Sequence, residues 1–181
     1  MKETEPTMRI AAVIALLVML SFAEAAEQHA TQGDGLSVSL RNLTEQASYG
    51  MKDSIVLEFE VINLSSEPIG VFAKLGMGYQ GGMVLHVLDS TGAEVESPTL
   101  DHDSLDLDAV GDARSYIKLQ PYMFLGTRQR YAVSQLVWKP GHYKLLAEYH
   151  CPVDSKYAKV GNFWGIERKS VISSEIEVDV K

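Results

Sequence analysis

The stretch "SIVLEFEVIN", residues 54–63, constrains the fold more than any other part of this 181-residue chain. Ile55, Leu57, Phe59 and Val61 alternate with Val56, Glu58, Glu60 and Ile62. A strand sends successive side chains to opposite faces, so this spacing gives one apolar face and one that carries charge. "LSVSL" (36–40) repeats the pattern, with Leu36, Val38 and Leu40 set against Ser37 and Ser39. "SSEIEVDV" (173–180) repeats it again, with Ile176, Val178 and Val180 set against Glu175, Glu177 and Asp179. Strands with one buried and one solvated face belong to antiparallel sheets, because parallel strands bury both.

Further strands are expected at 69–75, 83–89, 115–120, 130–138 and 142–150. "STG" after Asp89 followed by "AEVES" reads as a hairpin. No long stretch beyond residue 26 has the 3.6-residue period of an amphipathic helix. Many short strands separated by turn residues predict an all-β sandwich. Pro140-Gly141 launches the strand 142–150, whose Tyr143, Leu145, Ala147 and Tyr149 share a face. A tyrosine just after such a turn can bond the backbone of the preceding corner, and this structural role is assigned to Tyr143.

Residues 10–22, "IAAVIALLVMLSF", follow Arg9 and precede small residues at Ala23 and Ala25. That order is the signature of a secretory signal peptide, expected to span 1–25, with Met1 or Met8 as its start. The run is shorter than the roughly 20 residues of a membrane span, so no stable membrane insertion is expected once it is cleaved. Residues 26–35 read as a flexible lead and 36–181 as one domain. Cys151 is the single cysteine, so no internal disulfide can form. Its expected state is a buried, inert thiol. The formal charge is −8, and −7 without residues 1–25. A negative domain repels phosphate backbones, which argues against nucleic-acid binding. The expected location is the periplasm or the exterior.

The segments "IKLQPYMFLG", "LVWKPGHYKLLAEYHCP" and "FWGIERKSVISSEIEVDV" resemble the C-terminal half of immunoglobulin-like domains in exported, mostly uncharacterised bacterial proteins. Those domains carry "K-L-x-P-G", "K-P-G-x-Y-x-L-x-x-x-Y" and "W-x-G…S-x-x-I-x-V". The resemblance covers about the last third of the chain and implies an immunoglobulin-like, Greek-key β-sandwich. It implies little about activity, since sandwiches host many unrelated functions. Tyr122 stands where that pattern has glycine.

No nucleophile elbow, phosphate loop or dinucleotide fingerprint is present, so neither catalysis nor a cofactor is expected. The glycine-rich "GMGYQGG" (76–82) reads as a loop. Asp101, Asp103, Asp106 and Asp108 form a dense acidic segment that could offer oxygen ligands to calcium, but without the EF-hand spacing; a solvated loop is the simpler reading. The five histidines show no metal-ligand spacing. "NLT" (42–44) and "NLS" (63–65) match the glycosylation sequon, which has meaning only in a eukaryotic secretory route.

The best binding candidate is the long connection 152–169, which carries Tyr157, Lys159, Phe163, Trp164 and Arg168. Aromatics mixed with cations are the composition of interface hot spots, while the competing reading has Phe163 and Trp164 capping the core and only the lysines exposed. The expected role is a non-catalytic binding or accessory module that contacts a protein or a surface polymer through this end. The alternatives are an assembly subunit pairing through strand edges and a protease-inhibitor-like module.

Overall fold

The computed structural model describes residues 35–78, 82–97, 110, 112–158 and 160–181. The chain is all-β and its sheets are antiparallel, apart from one two-residue strand. In chain order the strands are β1 (Leu36–Asn42), β2 (Ser54–Asn63), β3 (Ile69–Phe72), β4 (Gly76–Met77), β5 (Gly82–Asp89), β6 (Tyr116–Leu119), β7 (Phe124–Ala132), β8 (Gly141–Tyr149), β9 (Val171–Ile172) and β10 (Ile176–Val180). A single helical turn, α1 (Val133–Leu136), follows β7. One sheet has the order β1-β2-β7. A second runs β10-β8-β5-β4, with β9 beside β8 and β4 parallel to β5. β3 and β6 form a separate pair.

The period-two residues face inward. Ile55, Leu57, Phe59 and Val61 are fully buried, and Val38 and Leu40 lie opposite Val61 and Phe59. Across the second sheet, Tyr143, Leu145, Ala147 and Tyr149 meet Val178, Val87, Leu85 and Met83. All these residues join one apolar cluster, so the inward faces of both sheets share a core.

The outer face of β2 departs from simple solvation. Glu58 and Glu60 are nearly buried. Arg41 of β1 reaches Glu58 at 2.7 Å and Glu60 at 2.6 Å, and Arg128 of β7 reaches Glu58 at 2.6 Å. The register places Arg41, Glu58 and Arg128 side by side across three strands. The arginine stems cover the carboxylates while their guanidinium groups neutralise them.

Corners are tied by side chains. The Tyr143 hydroxyl donates to the Lys139 carbonyl at 2.8 Å, closing the turn before β8. Asn63, fully buried, organises the β2–β3 turn. Its amide donates to the carbonyls of Glu67 and Leu119, and its Oδ1 accepts from the Ser65 amide and hydroxyl. The hairpin after β5 closes through Asp89 N–H to Ala93 O and Val95 N–H to Val87 O.

Four local differences from the sequence expectations have physical causes. The strand expected over 130–138 stops at Ala132, where the Gln135 side chain accepts the Ala132 N–H and one helical turn begins. The run 173–180 is interrupted at Ser173, whose hydroxyl takes the Ala147 N–H in place of a backbone carbonyl, so regular pairing starts at Ile176. Gly35, expected in the flexible lead, is part of the fold: its carbonyl accepts the Leu64 N–H at 2.7 Å. Tyr122, in the glycine position of the resembled pattern, has φ 61°, so a bulky residue holds the left-handed conformation that glycine prefers.

Candidate functional site

The connection 152–169 leaves the end of β8 and is fastened to β3. The Trp164 N–H donates to Gly70 O at 2.8 Å and the Gly70 N–H donates to Asn162 O at 2.9 Å. This forms a bridge between Gly70 and Phe163. Gly70 is needed for that approach, because a Cβ there would lie 2.7 Å from Val160 Cγ2 and 3.3 Å from Gly161 O. The Asn162 amide also donates to Pro68 O at 3.0 Å, which brings the β2–β3 turn to the same end of the molecule.

Two of the proposed contact residues point inward. Phe163 is 5% exposed and Trp164 2%. The Phe163 ring meets Tyr116 edge-on at 5.5 Å, and Tyr116 meets Phe72 at 5.6 Å. Backbone pairing to Gly70 turns these rings into the core, so they anchor the segment rather than offer it to a partner. Arg168 lies over the Trp164 ring at 5.3 Å and covers its outer side. Lys159 and the four aspartates 101, 103, 106 and 108 lie outside the described residues.

The outward face of the segment is built from other side chains. Asp154 caps the 3-10 turn Ser155–Tyr157 by accepting the Lys156 N–H at 2.9 Å. The same carboxylate pairs with the Lys156 ammonium at 2.7 Å. Those Lys156 bonds hold the Asp154 carboxyl below its usual range. Lys156 sits over the Tyr157 ring at 4.8 Å, and Tyr157 is 57% exposed. Ile166 is also exposed, on a backbone fixed by its N–H to Val153 O at 2.8 Å. Tyr157 and Ile166 are thus exposed on a pinned loop that also carries Lys156 and Arg168. Ile166 went unnoticed in the sequence because a single isoleucine between glycine and glutamate carries no pattern.

A concave feature lies at the opposite end of β8. Asp89, Ser90, Val95, Trp138, Lys139, Pro140, Gly141, His142 and Tyr143 line a cleft of about 350 Å³. Trp138 is 67% exposed, and its indole N–H donates to Glu96 O at 3.0 Å. The sequence placed Trp138 at the tail of an expected strand and gave it no site role; only the break at Ala132 shows where it projects.

Two further titratable groups, Cys151 and His86, are held within the fold. Cys151 is a buried free thiol, and burial pushes its pKa up to about 11. His86 bridges Glu94 and Glu148, each at 2.8 Å. Burial of the ring opposes its charge, but the hydrogen bonds and negative field of the two glutamates outweigh this and raise its pKa. No cluster of three metal-ligating side chains occurs among the described residues. No described helix is long and apolar enough to cross a membrane.

No protein-family model matches the chain, and no curated protein does. Among solved structures it is similar to a β-glucosidase from Erythrobacter marinus, at 12% identity and TM-score 0.39, over 81% of this chain and 15% of that one. The chain therefore spans about 15% of the glucosidase's length. It is also similar to the CARDB domain of a Pyrococcus furiosus protein in complex with di-metal ions, at 14% identity and TM-score 0.36, over 83% of this chain and 97% of that one.

Proposed function

We propose that this protein is an exported, non-catalytic binding module on an immunoglobulin-like Greek-key sandwich, acting in the periplasm or outside the cell. The strand orders β1-β2-β7 and β10-β8-β5 support that fold, since they correspond to the A-B-E and G-F-C arrangements of immunoglobulin domains. In that correspondence the segment 152–169 joins the last two strands and shares its end with the β2–β3 turn, where variable domains place their binding loops.

The observation that carries the reading is the pinned loop face. Buried Phe163 and Trp164 fix the backbone, while Tyr157, under Lys156, and Ile166 stay exposed on the same loop, with Arg168 over the Trp164 ring. An ordered loop loses little conformational entropy on binding, and an aromatic with flanking cations supplies the contact. The partner is a protein with an acidic rim around an apolar patch. The test is recovery of the cross-linked partner from the native envelope by Tyr157→Ala, Ile166→Ala and the control Lys181→Ala. Recovery should fall for the first two alone; equal recovery by all three removes the loop from the reading.

A second reading, assembly through a strand edge, draws on β7. It runs nine residues and pairs only with β2 among the described residues. Tyr122, Met123 and Phe124 are exposed at its start. Sedimentation that stays monomeric across the micromolar range would remove it.

A further inference from the structure

We infer that the cleft at the start of β8 is a saccharide subsite that takes one pyranose ring of a polysaccharide. This goes beyond the loop reading. The cleft and the loop lie at opposite ends of β8, roughly 27 Å apart at strand rise.

Trp138 forms one wall of the cleft. Tryptophan is usually substantially buried, and here it is 67% exposed at the wall of a cleft. It is not loose, because its indole N–H is held by Glu96 O at 3.0 Å. A fixed, exposed indole offers a flat apolar platform. A pyranose ring presents the matching shape, with a face of C–H groups and a rim of hydroxyls.

The rim of the cleft is polar. Asp89 Oδ1 accepts from the Thr91 N–H at 2.8 Å, the Thr91 hydroxyl at 2.6 Å and the Ala93 N–H at 3.1 Å. These bonds lock the carboxylate, and the Thr91 donors keep it ionised by holding its pKa low. Asp89 Oδ2 takes no hydrogen bond among the described residues and remains available as a charged acceptor. His142 uses Nδ1 on Asp179 at 2.8 Å, which leaves Nε2 without a described partner. Lys139 lines the same cleft, and its charge adds to what keeps Asp89 ionised. A platform with an acceptor, an imidazole nitrogen and an ammonium around it is a set that hydroxyls can satisfy in both directions, as donors and as acceptors.

Other ligand classes fit the cleft less well. A quaternary ammonium would also stack on an indole, but it has no donor for Asp89 Oδ2 and no acceptor for Lys139. An extended apolar peptide would leave Asp89 unsatisfied, which a buried contact does not tolerate. The volume, about 350 Å³, falls at the lower end of the roughly 300–1,000 Å³ of small-ligand clefts.

Affinity electrophoresis of the full protein through gels carrying soluble mixed-linkage β-glucan, xylan, dextran or polygalacturonate tests this. At least one polymer should retard the wild type. Trp138→Ala should weaken that retardation about 30-fold, the scale of a central aromatic contact. Asp89→Asn keeps the Oδ1 acceptor of the turn and should weaken it roughly tenfold. Tyr157→Ala, at the far end, should leave it unchanged. A separate readout uses fluorescence. The chain has two tryptophans, and Trp164 is buried, so acrylamide quenching follows Trp138. The retarding polymer should protect Trp138 from the quencher. Absence of retardation by all four polymers overturns the subsite, as does unchanged retardation of a folded Trp138→Ala or binding without protection of Trp138. Loss in Tyr157→Ala alone also overturns it, and makes a polymer rather than a protein the partner of the loop.

Discussion

Replacing Tyr122 by glycine and by alanine separates backbone strain from side-chain contact at the β6–β7 turn. Tyr122 has φ 61° and its side chain is 73% exposed. An L-residue in the left-handed region costs about 1–2 kcal/mol through its Cβ. Alanine keeps that Cβ and so keeps the strain. Glycine removes the strain but adds about 0.5–1 kcal/mol of unfolded-chain entropy. Both variants lose the same ring, so its small burial cancels between them. The glycine variant should therefore be the more stable of the two by roughly 0.5–1 kcal/mol. For a chain of this length that is a melting-point gap of about 1–4 °C. Urea unfolding followed by circular dichroism gives the difference directly, provided both curves share one slope. An alanine variant as stable as the glycine variant would show that Tyr122 is not strained, and the argument from the turn would fail. Against the wild type, the glycine variant should lie near parity, because the relieved strain roughly offsets the lost ring contact and the added entropy.

Other perturbations test other joints. Gly70→Ala should destabilise by about 1–3 kcal/mol, because its Cβ would press on Val160 and the Phe163 backbone, and limited proteolysis should then cut the 152–169 segment faster. Tyr143→Phe removes the bond to Lys139 O and should cost about 1–2 kcal/mol in urea titrations, with no change in slope. His86→Gln tests the glutamate bridge through pH. The raised pKa means that the stabilisation is complete below the ordinary value near 6.5 and is lost as pH rises through the folded value. The wild type should thus exceed His86→Gln by more at about pH 5.5 than at about pH 8.5, and the reverse order would contradict the bridge.

The inward faces were legible because a period of two is local: Ile55 to Val61 and Tyr143 to Tyr149 declare their side from spacing alone. The Tyr143 corner was legible for the same reason, since turn and tyrosine lie within five residues. What could not be read was set by pairing across the chain. Phe163 and Trp164 have the composition of a hot spot and of an anchor alike, and only the bridge to Gly70, far away in sequence, turns them inward. Glu58 and Glu60 read as solvated until the register lays Arg41 and Arg128 beside them. Trp138 was hidden because one glutamine, Gln135, ends a strand that the alternation would have carried on.

The position of the lone sulfur makes the molecule its own unfolding clock. With its pKa near 11, only about one Cys151 in ten thousand is thiolate at neutral pH, and Tyr149 and Val153 close over it in the native state. Alkylation by iodoacetamide must then wait for that region to open, and its rate reports the opening without any engineered probe. Changes of redox conditions should pass the folded protein by.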